Sequence, residues 1–556
     1  LYCVFFYGSK CMLYNNLAIA EQENYDAQPL FILISQMGGW KLLTNARFDP
    51  AHYQWEITAG QLAAIGVEGL IKVFVHSSFE DRNTQTLMFC PPRLFLEKKK
   101  FYRSAPSTNT LLAYYKNYIK SLLRLLGLDM DDNTGVIEYQ VNDIIDFERR
   151  IANISRTDSI RNLSAISNVM TYGKFRARYP EIRWQLFFNK ELRSSLGVLH
   201  DDVMVNVMDV GYFDGLSALV KSKPLSSINN YLMWRLVSTF DMYLPMQYRR
   251  PAQEFHASVF GTTAEDPQWE HCIREVIESL AMPLSTAYAS AFFSTENRKK
   301  AEEMIADLKR SMERIILDAD WMEDGVKKVA LRKLENMRYK TGHGLNRLHN
   351  PPSKDEWVSP VIAVDAYHYF TGNEIIFPAA ILQFPMFVPE APFYVNYAAI
   401  GFGIGHEITH GYDDLGSQYD EIGNLRAWWD GHTLAMFQKK RECFITQYSN
   451  QVEPITQKNV DGRLTIGENI ADNGGLRVMF ARRRHPGHCN DFWKFSAQTW
   501  CEKVKPSALN YTMENEVHPL GMFRVNVPLQ NFPPFSQAFQ CPVGSAMNPH
   551  KKCRIW

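Results

Sequence analysis

Ile404-Gly405-His406-Glu407-Ile408-Thr409-His410 is the stretch on which the reading of this chain turns. Two histidines four apart fall on one face of a helix, where both imidazoles reach a single metal ion. Glu407, beside the first of them, can deprotonate a metal-bound water. Further along, Gly467-Glu468-Asn469-Ile470-Ala471-Asp472 offers Glu468 as a third ligand. That leaves the fourth position of a tetrahedral Zn²⁺ open, as a catalytic site requires. Isolated HExxH sequences also occur on the solvated faces of ordinary helices. Here the apolar, Gly-rich run from Tyr397 to Gly405 predicts a buried helix with close neighbours. Glu468 and Asp472, again four apart, put a ligand and a supporting carboxylate on one face of a second helix. Zinc-bound histidines usually donate their other ring N–H to a carboxylate, and Asp472 and Asp413 are the candidates. One Zn²⁺ per chain and peptide-hydrolysing chemistry are the expectation.

Beyond the two metal motifs, Gly405 to Asp414 and Gly467 to Gly475 resemble the neprilysin/endothelin-converting-enzyme family of zinc metallopeptidases. The same holds for Val364-Asp365-Ala366-Tyr367, for Phe377-Pro378-Ala379 with Ile381-Leu382-Gln383, for His518 with Arg524, and for the ending Cys553-Arg554-Ile555-Trp556. The resemblance spans nearly the whole chain. It implies that His518 helps to hold the oxyanion that develops on the scissile carbonyl, and that Arg524 holds a substrate carbonyl beyond the cleaved bond. It further implies that the strand Val364–Tyr367, with Asp365 and Ala366, runs antiparallel to the peptide as an added strand. Asp365 stands where the family has Asn, keeping the acceptor oxygens and losing the amide donor. Ile381, Met386, Phe402 and Trp500 match the apolar pocket for the residue after the cleaved bond, and Gly403 replaces a larger aliphatic residue. Cleavage on the amino side of large hydrophobic residues is the implied preference. The alternative is a catalytically impaired or incomplete relative that binds peptides or partners; such a protein would have no chemical need for Glu407.

With 556 residues the chain is long enough for two or three domains. Sixty basic and sixty acidic residues cancel, and no basic stripe points to nucleic acid. The longest apolar runs fall well short of the ~20 residues that span a bilayer. The resemblance begins near Ser9-Lys10-Cys11-Met12, so any membrane anchor or signal peptide is expected upstream, on an extracellular or secreted protein. Nine cysteines leave at least one unpaired. By resemblance Cys11 pairs with Cys272 and Cys443 with Cys553, while Cys501 and Cys541 match positions whose partners lie upstream. Cys90 and Cys489 are expected as buried thiols, and Cys3 has no assigned partner. Sequons at Asn153, Asn162 and Asn510 fit a secretory route.

Apolar residues recur at three- and four-residue intervals through Ala301, Met304, Ile305, Leu308, Met312, Ile315 and Ile316, and again through Val326, Val329, Ala330, Leu334 and Met337. Residues 1–345 are therefore expected to be mostly helical, followed by a linker at 346–360 around Asn350-Pro351-Pro352-Ser353. A catalytic region at 361–556 opens with a β-like stretch Val361–Tyr369, a turn at Thr371-Gly372-Asn373 and a return at Ile375–Phe377. The predicted architecture is mainly α, with a large helical domain capping a thermolysin-like zinc peptidase domain that has a small sheet. Relatives carry more residues between Lys340 and Trp357 and after Gly475, near Arg482-Arg483-Arg484-His485-Pro486, an arginine run expected as a solvated loop.

Overall fold

A computed structural model describes residues 23–43, 48–103, 109–127, 136–156, 163–189, 192, 198–262, 267–342, 359–481 and 489–556. The chain forms two compact units, one of residues 1–78 and 83–275, the other of 79–82 and 276–556.

The first unit is built on helices α1 (Thr110–Leu125), α2 (Val136–Ile154), α3 (Leu225–Phe240) and α4 (Met246–Phe260). Asn109 caps α1 by accepting from the Leu112 N–H, one of the donors a helix start leaves unpaired. The buried residues of α2, Ile137, Val141, Ile144, Ile145 and Ile151, repeat at helical spacing and make one face. Glu148 on that helix is fully buried, and its carboxylate accepts from Phe95 N–H, the Tyr115 hydroxyl and Arg235. This unit also holds a four-stranded sheet that helical periodicity does not announce: β1 (Lys72–Ser77), β2 (Gln85–Cys90), β3 (Val169–Thr171) and β4 (Met204–Val207), in the order β1-β2-β4-β3. Strand β2 is buried from Thr86 to Cys90, so it lacks the alternation that marks a half-exposed strand.

In the second unit, α5 (Thr295–Leu317) and α6 (Asp324–Asn336) carry the predicted apolar stripes. Ala301, Met304, Ile305, Leu308, Met312 and Ile316 are buried on α5, and Val326, Ala330 and Leu334 on α6. Ser294 caps α5 through the Asn297 N–H. A three-stranded sheet follows, β5 (Arg338–Gly342), β6 (Tyr367–Tyr369) and β7 (Glu374–Pro378), ordered β5-β7-β6. β6 pairs antiparallel with β7, His368 opposite Ile375, across a turn in which Asn373 takes a left-handed φ of 44°. The turn and the return strand fall where the sequence puts them. The first strand, however, starts only at Tyr367. Ala363 N–H donates to Pro360 C=O, and the Asp365 carboxylate accepts the N–H of Ala366, so Val361–Ala366 is turned rather than laddered. Among the described residues, β6 lies at the edge of the sheet and pairs with β7 alone.

Helices α7 (Ile400–His410), α8 (Gly431–Ser449), α9 (Ile466–Ala481) and α10 (Gly521–Gln530) complete the core. Cys443 on α8 is bonded to Cys553 as the resemblance implies. Trp556 packs on Trp321 and Tyr412, and the Trp321 indole N–H donates to Ile555 C=O. Cys90 is a buried thiol, Cys501 is exposed and Cys541 half-buried. Cys3, Cys11, Asn162, the arginine run at 482–484 and nearly all of the linker lie outside the described residues, and with Cys11 goes the expected bond to Cys272.

Candidate metal centre

Helices α7 and α9 lie unusually close, and glycine is the reason. A Cβ on Gly475 would come within 2.7 Å of the His406 backbone nitrogen, and one on Gly405 within 2.8 Å of the Gly475 carbonyl. A Cβ on Gly474 would meet the Thr409 side chain at 2.4 Å. Real Cβ atoms cannot approach that far, so only glycine allows this separation.

The contact brings three ligating atoms together. His406 Nε2 and His410 Nε2 are 2.9 Å apart, and Glu468 Oε2 lies 3.2 Å from the first and 3.5 Å from the second. Among the described residues, these three form the one group of His, Cys, Asp or Glu ligand atoms that lie within 4.8 Å of one another. Each imidazole is held from behind by its own carboxylate: His406 Nδ1 is 2.9 Å from Asp472 Oδ1, and His410 Nδ1 is 2.7 Å from Asp413 Oδ2. The two candidate carboxylates thus take one ring each. A carboxylate only accepts, so the ring proton sits on Nδ1 and each Nε2 presents a lone pair. Among the described residues, Glu468 Oε2 finds no well-formed hydrogen bond, although three ring nitrogens surround it. Three ligand atoms converging on one buried point are stabilised by positive charge between them, whether a proton on a ring or a metal ion. Two imidazoles and one carboxylate are the donor set of a catalytic divalent metal site, and the residues fit it.

The charges follow the same layout. Burial alone would lower the His410 ring, but the Glu468 and Asp413 carboxylates hold it well above its ordinary value. Burial works to raise Glu468, and His410, His406 and His518 hold it well below the carboxylate range. Asp472, fully buried, is lowered by Arg524 and His406 against its desolvation. Burial lifts Glu407, with His406 and His410 pulling the other way.

The remaining residues divide. His518 is half-exposed with Nε2 3.1 Å from Glu468 Oε2. Arg524 on α10 donates twice to Asp472, Nε to Oδ2 at 2.9 Å and Nη2 to Oδ1 at 2.8 Å, and it lies on the Trp500 ring. Its Nη1 makes no hydrogen bond to a described residue. Trp500 meets Phe402 edge to face at 5.6 Å between centroids, and Phe402 lies one helical turn from His406. Ile381 and Met386 are half-buried against the same core, and Met386 C=O accepts the Ile400 N–H at the start of α7. Asp365 and Ala366 lie just before β6, with Asp365 exposed and close enough to Glu407 to raise it.

Two residues near the site escape sequence reasoning. Lys333 is 1% exposed, and Nζ donates to the carbonyls of Gly416 (2.6 Å) and Tyr419 (2.7 Å) in the loop after α7. Its signal was its place on the apolar stripe of α6, beside Leu334. His368 on β6 reaches the Glu407 carbonyl with Nδ1 at 2.7 Å. No local pattern marks that contact.

The fold and this donor set define a metallopeptidase. Two family models described as peptidase family M13 match the chain, one over residues 8–343 and the other over 365–555. The chain belongs to peptidase family M13 and is a metalloendopeptidase. It is 28% identical to neprilysin-21 of Caenorhabditis elegans over 600 aligned positions, covering 96% of this chain and 77% of that protein. Endothelin-converting enzyme 1 of Mus musculus is 28% identical over 589 positions, covering 96% and 75%. In backbone it is similar to the zinc metalloprotease Zmp1 of Mycobacterium tuberculosis solved with an inhibitor, at a TM-score of 0.88 and 23% identity, covering 99% of this chain and 88% of that one. PepO of Lactobacillus rhamnosis gives 0.84 at 21% identity, covering 98% and 88%. Among the described residues, no helix is long and apolar enough to cross a membrane.

Proposed function

We propose that this protein is a zinc-dependent endopeptidase that cuts short peptides on the amino side of large hydrophobic residues. The observation that carries the reading is the convergence of His406 Nε2, His410 Nε2 and Glu468 Oε2, each ring backed by its own carboxylate. Bound there, Zn²⁺ would supply Lewis-acid activation of water and polarisation of the scissile carbonyl. Glu407, lifted by burial, is the general base: it accepts a proton from the attacking water and returns it to the leaving amine. His518 stands across Glu468, where a donor can serve the developing oxyanion. Asp472 acts by orienting His406 and Arg524.

The outer edge of β6 offers backbone groups to an extended peptide, with Asp365 and Ala366 standing just before its first residue. Asp365 weakens that anchoring by lacking an amide donor, so Asp365→Asn is expected to tighten peptide binding. Arg524 Nη1 is left to take a substrate carbonyl. Phe402 and Trp500, with Ile381 and Met386 nearby, make the apolar wall that favours Phe or Leu after the cleaved bond, and Gly403 leaves it roomy.

An extracellular setting, on a membrane-anchored or a secreted protein, fits the Cys443–Cys553 bond and the exposed sequon asparagines Asn153 and Asn510. For domain organisation the proposal remains 1–345, a linker at 346–360 and a catalytic region at 361–556, while packing draws the helices from Val276 onward into the second unit. Hydrolysis of a peptide library by wild type and Glu407→Gln tests the reading. Cleavage before large hydrophobic residues, lost in the variant, is expected; cleavage that survives Glu407→Gln, or that favours charged residues there, contradicts it.

A further inference from the structure

The last turn of α7 is tightened at one carbonyl. In a regular α-helix the Glu407 carbonyl would accept the Gly411 N–H four residues on. Instead Gly411 N–H donates to Ile408 C=O at 3.2 Å. The Glu407 carbonyl takes its hydrogen bond from outside the helix, from His368 Nδ1 at 2.7 Å. A carbonyl only accepts, so the His368 proton is on Nδ1. The ring is half-buried, with its Nε2 shielded from solvent and making no hydrogen bond to a described residue. Gly411 permits the approach: a Cβ there would stand 3.2 Å from His368 Cε1 and 2.8 Å from Met337 Cε.

We propose that His368 is a positioning residue for Glu407, pinning the peptide group of the general base to the edge strand that receives the substrate. Resting on the endopeptidase reading above, this ties strand β6 and helix α7 by one side-chain hydrogen bond. Without it, the Glu407 carbonyl is free to rotate back toward Gly411 N–H, and the turn that carries His410 and aims Glu407 relaxes to ordinary α geometry. Glu407 touches the reacting water; His368 acts through it.

The test compares His368→Leu, His368→Asn and His368→Gln in the full chain loaded with Zn²⁺, on a blocked peptide with Phe after the cleaved bond. The Asn amide nitrogen can occupy the place of Nδ1, the Gln nitrogen that of Nε2. Supporting contacts at metal sites are worth roughly 10- to 100-fold. A kcat loss of that size is expected for Leu and Gln at unchanged KM and zinc content, with Asn close to wild type. Wild-type kcat in His368→Leu, a loss confined to KM, or an Asn variant as impaired as Leu would overturn the proposal. If His368→Leu does not fold, Asn against Gln decides alone, and equal rates overturn it. Hydrogen exchange of the segment 400–411 in the zinc-free proteins gives a readout independent of catalysis. Faster exchange in Leu and Gln than in wild type and Asn supports the tie even if no peptide is cut, which would sink only the endopeptidase reading; identical exchange in all four sinks the tie.

Discussion

The guanidinium carbon of Arg524 rests 3.8 Å from the centroid of the Trp500 ring. The ring supports the arginine from one face while Asp472 grips its edge, so the guanidinium is fixed in two directions. A desolvated contact of this type is worth about 0.5–2 kcal/mol. Trp500→Leu keeps an apolar side chain but removes the platform. The KM for peptides should rise roughly three- to tenfold with zinc content unchanged; a KM equal to wild type would remove Trp500 from the substrate wall.

Asp472 serves His406 and Arg524 at once and is fully buried. Asp472→Asn leaves the guanidinium buried without its counter-charge, which typically costs about 3–5 kcal/mol. It also weakens the hold on the His406 ring, with zinc affinity falling roughly 10- to 100-fold. Urea unfolding and a chelator competition measure the two effects separately. An unchanged zinc affinity would show that Asp472 does not orient the ligand.

Gly475→Ala puts a methyl group into the backbone of His406, and α9 must retreat from α7. Overpacking of this kind costs about 1–3 kcal/mol. Because the retreat carries Glu468 away from the two imidazoles, zinc affinity should drop with stability. Gly403→Ala is the control, since a Cβ there meets nothing nearer than Ile400 Cδ1 at 3.9 Å. It should bind zinc as wild type does and gain about 0.5–1 kcal/mol from helix propensity.

Burial in the first unit raises the Asp241 carboxyl to about 7, against the lowering effect of the Tyr118 hydroxyl that donates to it at 2.7 Å. Between about pH 4 and pH 7 the folded state therefore binds a proton that the unfolded state has released. Stability from this group is greatest below pH 4, declines as pH rises to 7 and is level above. Asp241→Asn keeps an acceptor for Tyr118 and removes the charge. In urea unfolding the variant should gain on wild type by about 2–4 kcal/mol at pH 8 and by little at pH 4. A difference that does not vary with pH would mean Asp241 is not held neutral by the fold.

The ligands were legible because their geometry is local: four-residue spacing aligns His406 with His410 and Glu468 with Asp472, whatever the rest of the chain does. The Gly-rich run ending at Gly405 announces a close neighbour, but which helix it is, and that Gly474 and Gly475 are its matching face, shows only once α9 is seen packed there. The apolar stripes of α5 and α6 were plain for the same local reason, yet Lys333 sat unnoticed on one of them, since its two carbonyl partners belong to a loop far along the chain. The contact of His368 with Glu407 has no periodic signal at all. The turn at Thr371–Asn373 was visible through its residues, but the late start of β6 depends on Asp365 taking the Ala366 N–H, which a β-like run of side chains conceals. The sheet of the first unit was missed because its strands are short and β2 is buried on both faces.

The most direct test of the account is the zinc content of the purified protein by elemental analysis, beside that of Glu468→Ala. One zinc per chain in the wild type and almost none in the variant is the predicted result. A wild type that purifies without zinc and takes none up, or a variant that keeps a full complement, would contradict a metal held between α7 and α9.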